Sequence, residues 1–113
     1  MKIDADELTK TMIRAASAEA RDCWPSMQRV AELEFRRFAQ TLEEVIQLHA
    51  ADQFDDLQAF AIAATYRAAA INAMGNVKGL GRLTGRAAAR DAMRAAVEAA
   101  RDTVNLEAGI RLL

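Results

Sequence analysis

A single proline, Pro25, interrupts a chain of 113 residues whose apolar side chains otherwise follow a helical repeat along its length. No segment alternates apolar and polar positions with β-branched residues, and no Asn-Gly or Asp-Gly pair marks a hairpin turn. The five glycines, at positions 75, 79, 81, 85 and 109, lie near the ends of helical stretches. The pattern predicts an all-α protein, a small helical bundle of three to four helices, with residues 1–113 as a single helical domain.

The first two predicted helices meet at Pro25. The first starts at Asp4, which caps it with Glu7 in capping-box spacing, and the second runs from about Ser26 to Ala50. Proline removes a backbone donor and clashes with the preceding turn, so the chain must kink or break here. A continuous helix over residues 5–50 would be about 69 Å long and would need a second subunit. A break or strong kink, which we favour, suits a four-helix bundle.

The second helix carries the clearest core stripe of the chain. At 100° per residue its largest apolar side chains fall on one face. The stripe consists of Met27, Ala31, Phe35, Phe38, Leu42, Val45, Ile46 and His49. A weaker apolar strip, formed by Val30, Leu33 and Leu48, lies on another side. Because an edge helix of a monomeric bundle needs only one apolar face, the second strip predicts contact with a partner.

The third predicted helix, from Asp52 to Met74, is apolar on nearly every side, and Arg67 is the one charged residue within its body. The predicted main face holds Leu57, Phe60, Ala61, Ala64, Ala68 and Ile71, and the opposite face holds Ile62, Tyr66, Ala69 and Ala73. Such a helix is expected to be buried on most sides, either as the central helix of the domain or in an oligomer core. Gly75 and Asn76 are expected to end it, because both residue types tolerate left-handed backbone.

A loop over residues 76–84 leads to a fourth helix, predicted from about Gly85 to Ala108 with Gly109 as its C-terminal cap. Five basic residues recur every four positions through this region: Lys78, Arg82, Arg86, Arg90 and Arg94. Basic side chains in one stripe can neutralise phosphates, which makes the segment a candidate phosphate or nucleic-acid contact. The alternative is a solvated face whose arginines pair with acids of the same helix or a neighbouring one.

Composition and charge restrict the functional classes. The net charge is −1 and the pI is near 5.8, so a nucleic-acid role would depend on a local patch. Cys23 is the only cysteine and the N-terminus is acidic without an apolar signal segment, so a cytoplasmic location is expected. The longest apolar stretch, residues 59–74, contains Thr65, Arg67 and Asn72 and is too polar to predict a membrane helix.

The sequence contains no catalytic, cofactor or metal motif. The glycines at 79, 81 and 85 have neither the dinucleotide-binding nor the Walker A spacing. His49 is the only histidine, and no second His or Cys completes a zinc or di-iron ligand set, so it is expected to be a hydrogen-bonded boundary residue. Cys23 has no nucleophile signature around it. We predict a protein that is not an enzyme and takes no metal, cofactor or small-molecule substrate.

The function predicted from these patterns is that of a non-enzymatic helical interaction or assembly module. The expected partner interface consists of Trp24, Val30, Leu33, Leu48, Ile62 and Tyr66. Trp24 is either a core anchor or an aromatic anchor of the interface. The default partner is a second copy in a symmetric homo-oligomer, a dimer first of all, or another protein in a larger assembly. The alternative is a nucleic-acid-binding or regulatory module that uses the basic segment from Lys78 to Arg94.

Overall fold

The computed structural model describes residues 3–113 as an all-α bundle, and no strand occurs within this range. Helix α1 spans Ala5–Ala20 and a short 3-10 turn spans Arg21–Cys23. Helix α2 then spans Trp24–Ala50, α3 spans Asp56–Gly75 and α4 spans Arg82–Ala108. The predicted all-α fold and small helical bundle are therefore confirmed.

The break between α1 and α2 lies at Arg21, four residues before the proline. Arg21 takes φ 48° and ψ −115°, and its carbonyl accepts a 3-10 hydrogen bond from the Trp24 N–H. In a continuous helix the ring of Pro25 would clash with this carbonyl. After the break Pro25 lies in the first turn of α2, where its missing N–H leaves no hydrogen bond unmade.

The four helices form a ring in which α1 and α3 each pack between α2 and α4. Consecutive helices are antiparallel. Asp6 near the start of α1 pairs with Arg36 in the middle of α2 at 3.4 Å, and Glu19 near its end pairs with Arg94 of α4 at 3.2 Å. The bundle measures 43 × 22 × 18 Å. Because α2 folds back along α1, the alternative of one continuous helix over residues 5–50 is wrong.

Helix α3 begins later than the sequence pattern predicts. Its cap is Asp55, whose carboxylate accepts from the Gln58 N–H at 2.7 Å, while Gln58 Oε1 accepts from the Asp55 N–H at 2.9 Å. This reciprocal pair is a capping box. The predicted start at Asp52 is wrong, because Asp52 has φ 59° and belongs to the α2–α3 loop.

The other helix ends agree more closely with the sequence pattern. Asp4 caps α1, since its carboxylate accepts from the second and third N–H groups of the helix at 2.9 and 3.4 Å. Gly109 ends α4 in the left-handed conformation, with φ 70°. Helix α4 begins at Arg82 rather than at Gly85, which shortens the predicted loop.

The core combines a few large side chains with many small ones. Eleven of the 25 buried apolar residues in the described chain are alanines. The large members include Met12, Met27, Phe35, Phe38 and Leu42, and four of these five come from the predicted stripe of α2. Alanine buries little area per residue, so close approach of the helices and the few large side chains must supply most of the packing.

Helix α3 buries a different face from the one predicted. Its buried side chains are Ala59, Ala63, Ala70 and Met74. The main face assigned from the sequence is mostly solvent-exposed: Leu57 is 75% and Phe60 is 42% exposed, and Ala61, Ala64 and Ala68 are exposed with them. The alternative of a central helix is also wrong, because α3 occupies one corner of a four-helix ring.

Two glycines hold α3 and α4 in direct backbone contact. A Cβ atom added at Gly85 would lie 2.6 Å from the carbonyl oxygen of Gly75, so only glycine fits there without movement. Helix α3 ends at Gly75 with Asn76 as its C-cap, as predicted, but Asn76 has φ −103°, so the left-handed conformation expected there is wrong. The physical role of Gly75 is close approach to α4, since a Cβ there would lie 3.4 Å from the Cα atom of Arg86.

The segment after α4 folds back onto the bundle. Asn105 Oδ1 accepts from the N–H groups of Leu112 and Leu113 at 2.8 and 2.9 Å, and its Nδ2 donates to the Leu113 carbonyl at 3.2 Å. Both leucines are buried. This clamp places them beside α3, where they form one wall of a shallow apolar groove.

Candidate interaction surface on α3

The outer side of α3 is exposed and almost uncharged. Apart from Asp56 in the first turn, every exposed residue of this helix is uncharged. We name these ten residues the α3 surface: Leu57, Gln58, Phe60, Ala61, Ala64, Thr65, Tyr66, Ala68, Ala69 and Asn72. Arg67, the remaining charged residue of α3, is half-buried. A helix of a monomeric bundle normally presents charged and polar side chains to water, so this surface is unusual.

The other three helices follow that ordinary pattern. In the described chain α1 exposes five charged residues, α2 exposes four and α4 exposes eight, against the single Asp56 of α3. All four helices belong to the same Ala-rich chain, so composition alone does not explain the difference. The lack of charge is specific to α3.

A shallow groove of about 180 Å³ lies along one edge of the α3 surface. Phe60, Ala64, Arg67 and Ile71 line it from α3, and the clamped Leu112 and Leu113 line it from the C-terminal segment. The lining is mainly apolar, and Arg67 is its one charged residue. The groove therefore extends the apolar area of α3 towards α4.

The six predicted interface residues are divided between core and surface. Trp24, Val30 and Ile62 are half-buried and pack against the core. Leu33, Leu48 and Tyr66 are exposed, at 48%, 40% and 48% respectively. Leu33 and Leu48 lie fifteen residues apart on α2, about 22 Å along the helix axis, so the six do not form one compact patch. Tyr66 is the only one of them within the α3 surface.

Sequence reasoning missed the larger part of this surface. The sequence pattern predicts Leu57 and Phe60 on the main packing face of α3, yet both are exposed, Leu57 to 75% and Phe60 to 42%. The signal that could have found them is the absence of charge from Leu57 to Val77 apart from Arg67. The sequence pattern alone leaves two interpretations of that absence, a central helix of the domain or a helix in an oligomer core, and neither identifies the exposed side.

The two ends of α3 carry opposite charge. At the N-terminal end Asp52, Asp55 and Asp56 are all exposed. Beyond the C-terminal end Lys78, Arg82, Arg86 and Arg90 are all exposed, and no acidic residue occurs between Asp56 and Asp91. The α3 surface therefore lies between an acidic end and a basic end.

The predicted basic stripe is only partly free for a ligand. Arg94 pairs with Glu19 of α1 at 3.2 Å and with Asp91 of its own helix at 3.5 Å. These ion pairs are the ones expected of a solvated face whose arginines pair with acids of the same or a neighbouring helix. Lys78, Arg82, Arg86 and Arg90 form no ion pair with any residue in the described range. Arg86 and Arg90 line a small polar groove against the C-terminal end of α3. Four of the five predicted basic residues therefore remain available at this end of the bundle.

His49 forms a local contact between α2 and the start of α3. Its Nε2 lies 2.7 Å from Asp56 Oδ1, a hydrogen bond across the α2–α3 loop. Within residues 3–113 no group of three or more His, Cys, Asp or Glu side chains is arranged to hold a metal ion. Cys23 is half-buried in the α1–α2 turn. No helix in the described range is long and apolar enough to cross a membrane.

Comparison with protein-family models, with curated proteins and with solved structures found no match to this chain. Interpretation of the site therefore depends on its own geometry and charge.

Proposed function

We propose that this protein is a non-catalytic helical assembly module that self-associates through the α3 surface. The observation that carries the proposal is the exposed side of α3, which presents ten uncharged residues to water and only Asp56 as a charged one. Three of the ten are the large side chains of Leu57, Phe60 and Tyr66, each at least 42% exposed. Burying such side chains against a partner gains roughly 25 cal/mol for each Å² of apolar area removed from water.

The total surface of the chain is larger than its mass predicts. Its accessible area is 6840 Å², whereas a monomer of 12.4 kDa is expected to expose roughly 6,100 Å². The excess, roughly 700 Å², reflects the elongated 43 × 22 × 18 Å shape of the bundle together with its exposed apolar side chains. Among soluble homo-oligomers the symmetric dimer is the commonest form, so we take a dimer as the expected assembly.

The first test is the mass in solution, measured by light scattering behind a sizing column over a range of concentrations. The wild-type chain is expected to run at twice its 12.4 kDa monomer mass. Ala61→Glu places a carboxylate on the α3 surface between Leu57 and Thr65, where dimerisation would bury it without a partner. We expect this change to weaken the dimer roughly tenfold or more.

A matched control uses Ala18→Glu, because Ala18 is an exposed alanine on α1, diagonally opposite α3 in the ring. This variant should keep the wild-type mass. A wild-type protein that stays at 12.4 kDa at every concentration would overturn self-association. A dimer that is equally stable in both variants would show that another surface mediates it.

The second candidate function is binding of nucleic acid through the basic end of the bundle. Lys78, Arg82, Arg86 and Arg90 favour it because all four are exposed and have no acidic partner in the described chain. Four phosphate contacts would give a slope of about −3 to −4 for log affinity against log salt concentration. Fluorescence anisotropy with labelled duplex and single-stranded probes measures that slope.

The triple variant Arg82→Glu, Arg86→Glu and Arg90→Glu should abolish nucleic-acid binding while the helical circular dichroism spectrum is unchanged. Affinity that persists in this folded variant would remove the basic end as the contact. Absence of any wild-type binding at low salt would remove the second candidate function itself.

A further inference from the structure

We infer that the occupant of the α3 surface is a second copy of this chain, packed with its α3 antiparallel across a two-fold axis near the middle of the helix. The inference rests on the proposed self-association and adds the orientation of the two copies and the forces that select it. Three observations carry it: the charge at the two ends of α3, the small side chains along its outer side, and the position of its midpoint.

The charges favour the antiparallel arrangement. Asp52 and Asp56 lie at one end of α3, and Lys78 and Arg82 lie just beyond the other, all of them exposed. In an antiparallel pair the acidic end of each copy meets the basic end of the other, so opposite charges face each other twice. In a parallel pair acid would meet acid and base would meet base. Complementary charge of this kind selects orientation and partner.

The small side chains allow the two helices to approach closely. Ala61, Ala64 and Ala68 are exposed and follow one another at helical spacing along the outer side of α3, with Thr65 between them. Helices with small residues at their contact can pack at the short end of the 8–10 Å range of interaxial distances. The large Leu57 and Phe60 lie towards one end, where they can extend onto the partner.

The centre of α3 lies within its uncharged surface. Helix α3 spans Asp56–Gly75, so its centre lies next to Thr65. An antiparallel crossing near this centre, between Thr65 and Ala68, superposes the uncharged surfaces of the two copies and brings the acidic end of each towards the basic end of the other. A two-fold interface must be self-complementary in this way.

The charge pairing is tested with two variants and their mixture. One carries Asp52→Lys and Asp56→Lys, which leaves the Asp55 cap of α3 intact, and the other carries Lys78→Glu and Arg82→Glu. Each is expected to dimerise at least tenfold more weakly than wild type at low salt, because like charges then face each other. An equimolar mixture is expected to regain most of the lost affinity as a heterodimer. Circular dichroism confirms that both variants remain helical.

The orientation is tested by disulfide trapping in a Cys23→Ser background. Single cysteines are introduced at Ala61, Thr65, Ala68 and Asn72, which are all exposed on the outer side of α3. An antiparallel crossing brings only the central positions close to their own copies, so rapid crosslinking is expected at Thr65 or Ala68 and not at Ala61 or Asn72. A parallel pair would crosslink at all four.

The outcomes separate this inference from the proposed function. The antiparallel pairing would be overturned by charge variants that dimerise like wild type, or by crosslinking that is equal along the helix. In either case a dimer that is weakened by Ala61→Glu would still support self-association through the α3 surface. A wild-type monomer would overturn both. The variant with Lys78→Glu and Arg82→Glu gives a third outcome. If it loses nucleic-acid binding but still dimerises like wild type, the basic end contacts nucleic acid and the antiparallel pairing is overturned.

Discussion

Replacement of Phe35 with alanine is expected to lower the free energy of unfolding by about 3–5 kcal/mol. Phe35 is fully buried in the stripe of α2 that faces the bundle interior. Eleven of the 25 buried apolar residues of the described chain are alanines, whose short side chains cannot move to fill a cavity of aromatic size. The cost should therefore include both the lost burial of the ring and most of the cavity term.

Thermal and denaturant unfolding of the variant at a fixed protein concentration measure this loss. A domain of this size is stable by about 5–15 kcal/mol, so the change should remove a large fraction of the total and lower Tm by roughly 10–25 °C. The concentration must be fixed because dimerisation adds to apparent stability. Leu106→Ala is the control, since Leu106 is 85% exposed and should change the stability by less than about 0.5 kcal/mol. A loss below 1 kcal/mol for Phe35→Ala would contradict the assignment of the ring to the core.

The position of Phe35 in the core was predictable because α2 is strongly two-sided. Charged residues such as Arg29, Arg36 and Glu44 occupy its exposed side, so the apolar stripe had a unique direction. Hydrophobic periodicity gives the orientation of a helix only when the opposite face is polar. The same reasoning predicted the break before Pro25, since the steric conflict of proline with the carbonyl four residues earlier is local.

The orientation of α3 could not be predicted in this way. Its body contains only Arg67 as a charged residue, so hydrophobic periodicity is weak, and only the uncharged polar residues Gln58, Thr65 and Asn72 mark the exposed side. Burial is decided by tertiary packing: the alanines at 59, 63 and 70 let α3 approach its neighbours, and the larger Leu57 and Phe60 are left outside. The sequence pattern therefore predicts an almost uncharged helix, but the main face that it predicts is mostly the exposed one.

The sequence predicted which helices carry exposed apolar side chains better than it predicted the residues themselves. Such side chains occur on α3 and at Leu33 and Leu48 of α2, the helices that carry most of the expected interface. Of the residues named for it, Tyr66 lies in the α3 surface, whereas Val30 and Ile62 pack against the core. The opposite charges at the two ends of α3 became relevant only when the outer side of the helix was known to be exposed.

Gly85→Ala is expected to destabilise the protein by about 2 kcal/mol, although alanine is the better helix former. In an exposed helix the change would gain up to about 1 kcal/mol from helix propensity. At Gly85 the new Cβ would lie 2.6 Å from the backbone oxygen of Gly75, a contact that no side-chain rotation relieves. Helices α3 and α4 must separate, and overpacking of this kind costs about 1–3 kcal/mol or more. The clash is expected to exceed the propensity gain.

Gly81→Ala provides the comparison, because a Cβ at Gly81 would meet no atom within 4 Å. Gly81 is the N-cap residue of α4, where glycine is preferred to alanine, so Gly81→Ala should cost up to about 1 kcal/mol through the cap and nothing through steric clash. Denaturant unfolding of both variants separates steric clash from backbone effects. If Gly85→Ala proved as stable as wild type or more so, α3 and α4 would not be in backbone contact at Gly75. Because that contact fixes the C-terminal end of α3 next to Arg86, its loss would also move the basic end relative to the α3 surface.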